Sequence, residues 1–437
     1  MIEQFHKHIL NRFPFLKGRK LLIAISGGID SVVLTHLCHD LHFNIALAHC
    51  NFNLRADESD ADEEFVLQLA ENLNLEVFIE SFDTEVYAKS NKISIQMAAR
   101  DLRYNWFKEL AEQLHFDYIL TAHHADDNLE TFLINLSRGT GLDGLIGIPE
   151  INGNLVRPLL PFSRQIIEAY AKEKKYKWCE DSSNSSTKYV RNKLRLDIIP
   201  ALKDLNPNFL QSFQTTLNNL NDTADIVEES LNAVLKRAIV SMDNNEIQIK
   251  TSEFIKLNNP KAYLHEFLKD YGFTEWNDVV NLLDAQSGKQ VFSPNYRLLK
   301  DRDVLILTEI NSNKSNFIIS ISEFDSEVQL PFGKLIISDV SQIEEINSRI
   351  IYVDKDSFKF PLTLRKWNQG DYFYPLGMQG KKKLSKYFKD EKLSLIDKEN
   401  IWLLFSGNDI VWVIGMRMDN RFKIGENTRK ILKIELV

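Results

Sequence analysis

The sequence predicts an α/β protein. Its first two hundred residues form a parallel sheet covered by helices on both faces, followed by a mostly helical middle region and a small α+β region. Three observations carry this. Short uncharged apolar runs alternate with helix-spaced segments as far as residue 137, and strands that are apolar throughout belong to sheets buried on both faces. Polar and glycine punctuation falls where those runs end, at the carboxyl ends of strands, where such sheets bind ligands. From about residue 206 the texture changes to a long Leu- and Asn-rich helical stretch and then to mixed short patterns.

In order, residues 21–25 (LLIAI) read as a first buried strand ending at Ser-Gly-Gly, and 31–40 as a helix. Residues 45–50 (IALAHC) are a second strand, and 57–72 an acidic helix with Phe65, Leu69 and Leu73 on one side. Residues 76–82 are a third strand, 95–114 a strongly periodic helix, 118–124 (YILTAHH) a fourth strand, and 126–137 a helix. Residues 208–237 look helical, and 247–308 mix helices with short strands. The polar run 311–316 reads as a linker, after which 317–321 (FIISI) and 334–340 (KLIISDV) open the α+β region. The domains expected are therefore 1–205, 206–312 and 318–437.

The chain has three cysteines, Cys38, Cys50 and Cys179, none in a C-x-x-C pair. That argues against a disulfide framework or a zinc site and fits a reducing compartment. No apolar run is long enough to span a membrane, so a cytoplasmic protein is expected. A homodimer is admitted but not specified. The net charge is −8, yet 164–203 holds ten bases against five acids and 361–437 holds fifteen against nine. An acidic protein can thereby present local basic faces to phosphates.

The strongest motif is Ser26-Gly27-Gly28-Ile29-Asp30-Ser31, between a strand and a helix. Glycines let the backbone turn and approach a ligand, the helix start offers N–H groups and a positive dipole end, and Ser26 and Ser31 add hydroxyls. This is a cradle for a phosphate or pyrophosphate. It lacks the terminal Lys of a Walker loop. Asp30 repels phosphate unless a cation intervenes, so Mg²⁺ is implied, with Asp30 as its ligand. The plainer alternative is a tight turn with Ser31 as helix N-cap.

A second cluster, Thr121-Ala-His-His-Ala-Asp-Asp-Asn-Leu-Glu-Thr131, closes the fourth strand. His123 and His124 can donate to developing phosphate charge, and Asp126 or Asp127 can share a metal or bind an ammonium. Alternatively, the two acids simply cap a helix. Ala48 and His49 end the second strand, where an adenine or ribose edge is expected. Arg100 and Arg103 share a helix face with Gln96 and Tyr104; they face phosphate or RNA, or else solvent. Arg138 and Gly139 open a Gly-rich loop that either grips substrate or only turns.

The S-G-G-x-D-S pattern resembles the signature of the N-type (PP-loop) ATP pyrophosphatases, which cleave ATP between the α- and β-phosphates. With TAHHADDNLET, RGTGLDGLIGI, RPLLPFSR and WCEDSSNSSTKYVRNKLRLDIIPAL, the chain resembles the tRNA(Ile)-lysidine synthetases along nearly its whole length. Asp181, Ser183, Asn184, Tyr189, Arg191, Asn192 and Arg195 are the matching residues of the last run. The C-terminal run from Gly370 to Phe388 is similar as well. One departure is Phe52, where many members carry a His.

The resemblance implies a Rossmann-like PP-loop catalytic domain and a ligase using ATP and Mg²⁺. Its partners are free L-lysine and tRNA(Ile) with a CAU anticodon. ATP adenylates O2 of the wobble cytidine, lysine displaces AMP, and the lysidine formed changes codon and amino-acid specificity from Met/AUG to Ile/AUA. Asp127 is expected to bind the lysine ammonium, with Asp126 as competitor. Arg191 and Arg195 are expected to hold the anticodon loop, and the basic C-terminal region to contact tRNA elsewhere. Rival readings are a tRNA thiolase of the same fold, disfavoured by the unpaired cysteines, and a non-catalytic RNA-binding protein, disfavoured by the intact Asp30.

Overall fold

The structure, a computed structural model, describes the chain apart from residues 55–56, 181–189, 244–245, 311–317, 346 and 427. The expected linker 311–316, and Asp181, Ser183, Asn184 and Tyr189, lie outside the described residues. The chain divides into two compact units, Met1–Glu229 and Ser230–Val437.

The first unit is built on a six-stranded sheet. Its strands are β1 (Lys20–Ala24), β2 (Asn44–Asn51), β3 (Val77–Ser81), β4 (Tyr118–Leu120), β5 (Ile151–Asn152) and β6 (Leu155–Val156), in the order β3-β2-β1-β4-β6-β5. All pairs are parallel except β5 with β6. The central β1 shows why the run is apolar throughout. Leu21 and Ile23 enter one core with Leu37, Val66 and Ile167, while Leu22 enters the other with Ala46, Phe107 and Leu110. Side chains alternate across a strand, so a strand covered on both faces has no position for a charge. Each of these three side chains is fully buried, and burial of each contributes about 1.5–3 kcal/mol.

Helices α1 (Ile2–Arg12), α2 (Ile29–Asp40), α3 (Asp57–Leu73), α4 (Thr84–Asn91), α5 (Ile95–Gln113), α6 (Ala125–Arg138), α7 (Leu142–Leu145) and α8 (Arg164–Lys174) surround the sheet. Residues 190–205 continue as α9 (Val190–Lys193), a π turn (Leu194–Ile198) and α10 (Ile199–Leu205). The expected fourth strand is shorter than 118–124: β4 stops at Leu120, because Thr121–His124 leave the sheet to start α6.

The long helix α11 (Phe209–Ala238) opens the middle of the chain. The second unit then combines short helices with a five-stranded sheet, and two four-stranded sheets follow, all of them antiparallel. Among the described residues no helix is long and apolar enough to cross a membrane.

Candidate active site

The phosphate loop leaves β1 and enters α2. Gly27 has φ +84, in the left-handed region, and its carbonyl accepts a hydrogen bond from the Cys179 N–H at 2.9 Å. Gly28 is the N-cap of α2 with an ordinary φ of −71 and no side-chain cap hydrogen bond. The helix therefore starts at Ile29, and Ser31 lies inside its first turn rather than capping it. Ser31 Oγ donates to the Gly28 carbonyl (2.9 Å) and accepts from the Ser26 N–H (3.2 Å), tying the loop across its base. A helix start without a side-chain cap leaves N–H groups for an anion.

The two glycines do different work, and this is testable. Gly27→Ala forces a left-handed Cβ residue, at a cost of about 1–2 kcal/mol, although the nearest atom to that Cβ, Cys179 Sγ, is 3.5 Å away. Thermal melts should show it destabilised by a few degrees. Gly28→Ala meets Ser26 Oγ at 3.4 Å and no backbone strain. It should melt like the parent.

Asp30, on the first turn of α2, pairs through Oδ2 with the Arg164 guanidinium. Its Oδ1 is buried with no hydrogen-bond partner and lies 3.8 Å from His124 Nε2. Burial pushes this carboxyl above its ordinary value, against the pull of His124 and Arg164. An orphaned carboxylate oxygen beside an anion-binding turn is a donor a divalent cation can use. Among the described residues no three His, Cys, Asp or Glu side chains stand together as metal ligands. The donor set thus fits Mg²⁺ completed by phosphate oxygens and water, the usual arrangement for that ion.

Opposite stands the start of α6. His124 is its N-cap: Nδ1 accepts from the Asp127 N–H at 3.4 Å, and the His124 N–H donates to Asp127 Oδ2 at 3.1 Å. With Nδ1 accepting, the proton is assigned to Nε2, which lies 3.4 Å from Asp127 Oδ2 and 3.8 Å from Asp30 Oδ1. His124 therefore stands between two carboxylates. His123 hydrogen-bonds Thr121 Oγ1 through Nδ1 at 2.9 Å, and burial pushes its pKa down to about 4, so it is neutral at pH 7.

The neighbouring acids have separate duties. Asp126 accepts from the Arg164 N–H (2.8 Å) and from Lys203 Nζ (2.9 Å), so both oxygens are committed. Burial raises its pKa, but those two donors outweigh that and hold the carboxyl below its ordinary value. Glu130, whose side chain is 1% exposed, is gripped by Arg195 Nε (2.7 Å) and Nη2 (3.1 Å) and by Arg191 Nε (3.0 Å). Arg195 Nη2 also reaches Asp127 Oδ1 at 3.4 Å, and Arg191 Nη2 donates to Thr131 Oγ1 at 2.9 Å. The 190–205 segment is thereby docked onto α6.

Other expected positions fall differently. His49 is buried, and its Nδ1 lies 3.0 Å from the Ile25 carbonyl, bracing the strand just before the loop. Ala48 is fully buried in the apolar layer with Leu22 and Phe107, so its side chain is a packing element there. Arg100 is exposed, with its guanidinium 4.9 Å from the Tyr104 ring centroid. Arg103 lies 5.1 Å from the centroid of Phe52. Arg138 and Gly139 are at the other end of α6; at 1.5 Å per residue that is about 16 Å from Asp127. The structure does not bring them to this cluster. Arg164 and Lys203 join this cluster without having been named individually: Arg164 closes the RPLLPFSR run, and both lie in the basic stretch 164–203. The cysteines supply no thiolate: burial raises Cys38, and raises Cys50 and Cys179 to about 12.

Comparison with known proteins gives a consistent result. Residues 1–202 match the family model of the PP-loop domain, 242–310 that of the TilS substrate binding domain, and 362–436 that of the TilS substrate C-terminal domain. The chain is 42% identical to a tRNA(Ile)-lysidine synthase of Parabacteroides distasonis and 38% identical to one of Bacteroides thetaiotaomicron, each covering 100% of both sequences. Among solved structures, a U34-tRNA thiolase of Methanococcus maripaludis with its 4Fe-4S cluster matches at TM-score 0.42 and 18% identity. That match covers 50% of this chain and 78% of the other, a likeness too slight to carry an argument.

Proposed function

The chain belongs to the tRNA(Ile)-lysidine synthases, ATP-dependent ligases forming a C–N bond, and from that premise we propose how its residues divide the work. Residues 1–205 are the catalytic domain, and 206–312 and 318–437 contact the tRNA, in the cytoplasm where ATP and tRNA are found. The pyrophosphate leaving group sits on the loop 26–31. Asp30 Oδ1 holds Mg²⁺, which when bound supplies positive charge to the phosphates.

O2 of the wobble cytidine attacks the α-phosphorus, and pyrophosphate departs. The base must first be splayed from its stack to reach the strand ends. O2 is then part of an AMP ester, a far better leaving group. The lysine ε-amine attacks C2, and AMP leaves carrying that oxygen. At pH 7 this amine arrives almost wholly as ammonium, so a base must take its proton. Asp127 is the base: it lies beside His124, and its hydrogen bonds, at 3.1 and 3.4 Å, are longer than the 2.8 and 2.9 Å bonds that hold Asp126. Neutral His123 is a hydrogen-bond partner for the substrate phosphate or base, not a countercharge.

The observation that carries this reading is the buried, unpartnered Asp30 Oδ1 beside the uncapped start of α2. The test is to incubate the protein with ATP, Mg²⁺, lysine and a CAU-anticodon tRNA(Ile) transcript, following pyrophosphate and the mass of the wobble nucleoside. Expected is one pyrophosphate per cytidine converted to the lysine adduct. No adduct, or an adduct that needs a sulfur donor, overturns it.

A further inference from the structure

Arg157 follows β6 directly and is 5% exposed. Its Nη1 donates to the Pro149 carbonyl at 2.6 Å, and the Tyr104 phenol lies beside it. Its Nε is buried with no partner. Among the described residues neither Arg157 nor Arg100, whose guanidinium packs on the Tyr104 ring, has a carboxylate partner. A guanidinium stays charged in a protein, and burying it without a counter-charge is unfavourable. Arg is also the residue whose planar fork fits an oxyanion.

Its position is set by the sheet. Leu120 of β4 pairs with Val156 of β6, and the Thr121 N–H donates to the Val156 carbonyl at 3.0 Å. Arg157 is therefore the lateral neighbour of Thr121, whose hydroxyl holds His123. His123 feels the negative charge of Asp127 together with the positive charge of Arg157. The carboxyl ends of β4 and β6 thus offer a carboxylate and a guanidinium that has no carboxylate partner around one neutral imidazole.

We propose that Arg157, with Arg100 beside it, forms the subsite for the α-carboxylate of the amino-acid substrate while Asp127 takes its side-chain ammonium. This rests on the reading of Asp127 given above. Free lysine carries its α-carboxylate at the end remote from the ε-ammonium, and a carboxylate is the anion a guanidinium fork pairs with. Arg157 is thereby a specificity-determining residue: it separates lysine from simple alkyl diamines, which carry the same nucleophile.

The experiment compares lysine with cadaverine, which has the amine and chain but no carboxylate, as substrates of the full-length protein. Wild type should favour lysine by at least 100-fold in kcat/KM. Arg157→Gln should lose most of that preference through KM for lysine, with cadaverine turnover and KM for ATP within threefold. Arg157→Lys, which keeps a cation, should recover part of the preference. Should Arg157→Gln fold poorly, Arg100→Gln on the exposed side carries the same comparison and should lower the preference severalfold. Undiminished preference in the variants that fold overturns the proposal while leaving the ligase reading intact. A wild type that adds no lysine at all overturns the ligase reading itself.

Discussion

Asp30→Asn should abolish turnover, by roughly 10²–10³-fold or more, without lowering the melting temperature of the ligand-free protein. Burial raises the Asp30 carboxyl above its ordinary 3.8, so the folded chain holds this proton more tightly than the unfolded one. Stability then falls as pH rises through the unfolded value and levels off above the folded one. Asparagine removes that dependence. Its partner Arg164 has a side chain 43% exposed and returns to water at little cost. The variant should match the parent in melts near pH 3.5 and equal or exceed it at pH 7. Dissociation constants for tRNA should stay within a few-fold. A variant that turns over normally would remove Asp30 from the metal site. A large drop in melting temperature at pH 7 would make Asp30 a structural ion-pair partner instead.

Glu130→Ala should be the most destabilising single change at the site. It removes the buried carboxylate that Arg191 and Arg195 grip, but those side chains are 46% and 37% exposed and regain water, so the expected cost is that of the lost charged hydrogen bonds, about 1.5–3 kcal/mol. For a unit of this size that is a fall of about 5–10 °C in thermal denaturation. Glu130→Gln keeps an acceptor and should cost less. Burial holds the Glu130 carboxyl above its ordinary value despite the two guanidinium groups, so the network is not itself a large source of stability. The combined change Glu130→Leu with Arg195→Met should accordingly recover part of the melting temperature while leaving the protein inactive. Equal melting of Glu130→Ala and wild type would show that segment 190–205 is held by other contacts.

Much of the first unit is legible in the sequence because its signals are local. A strand covered on both faces must be an apolar run, so β1 and β2 stand out. The longer helices α3, α5 and α6 advertise themselves by periodicity. Helix α4 does not: it is eight residues long and buries only Thr84 and Ala88, too few positions to make a pattern. The loop at 26–31 was legible because a left-handed turn needs glycine. Which glycine adopts it was not, since Gly-Gly reads the same either way. Contacts between distant residues left no trace: Arg164 meets Asp30 across 134 positions and Lys203 meets Asp126 across 77. Arg138 and Gly139 adjoin the acidic helix in the chain, but a straight helix carries its last residue away from its first. Ala48 adjoins His49, yet side chains on neighbouring strand positions point to opposite faces.

The bond from the Cys179 N–H to the Gly27 carbonyl reaches beyond local bracing. A peptide unit is flat, with its C=O and N–H directed oppositely. Anchoring one side therefore aims the other, and the Gly28 N–H on the far side of that plane meets Ser26 Oγ at 3.3 Å. The plane is thus held from both edges, and the turn keeps its shape through contacts of its own.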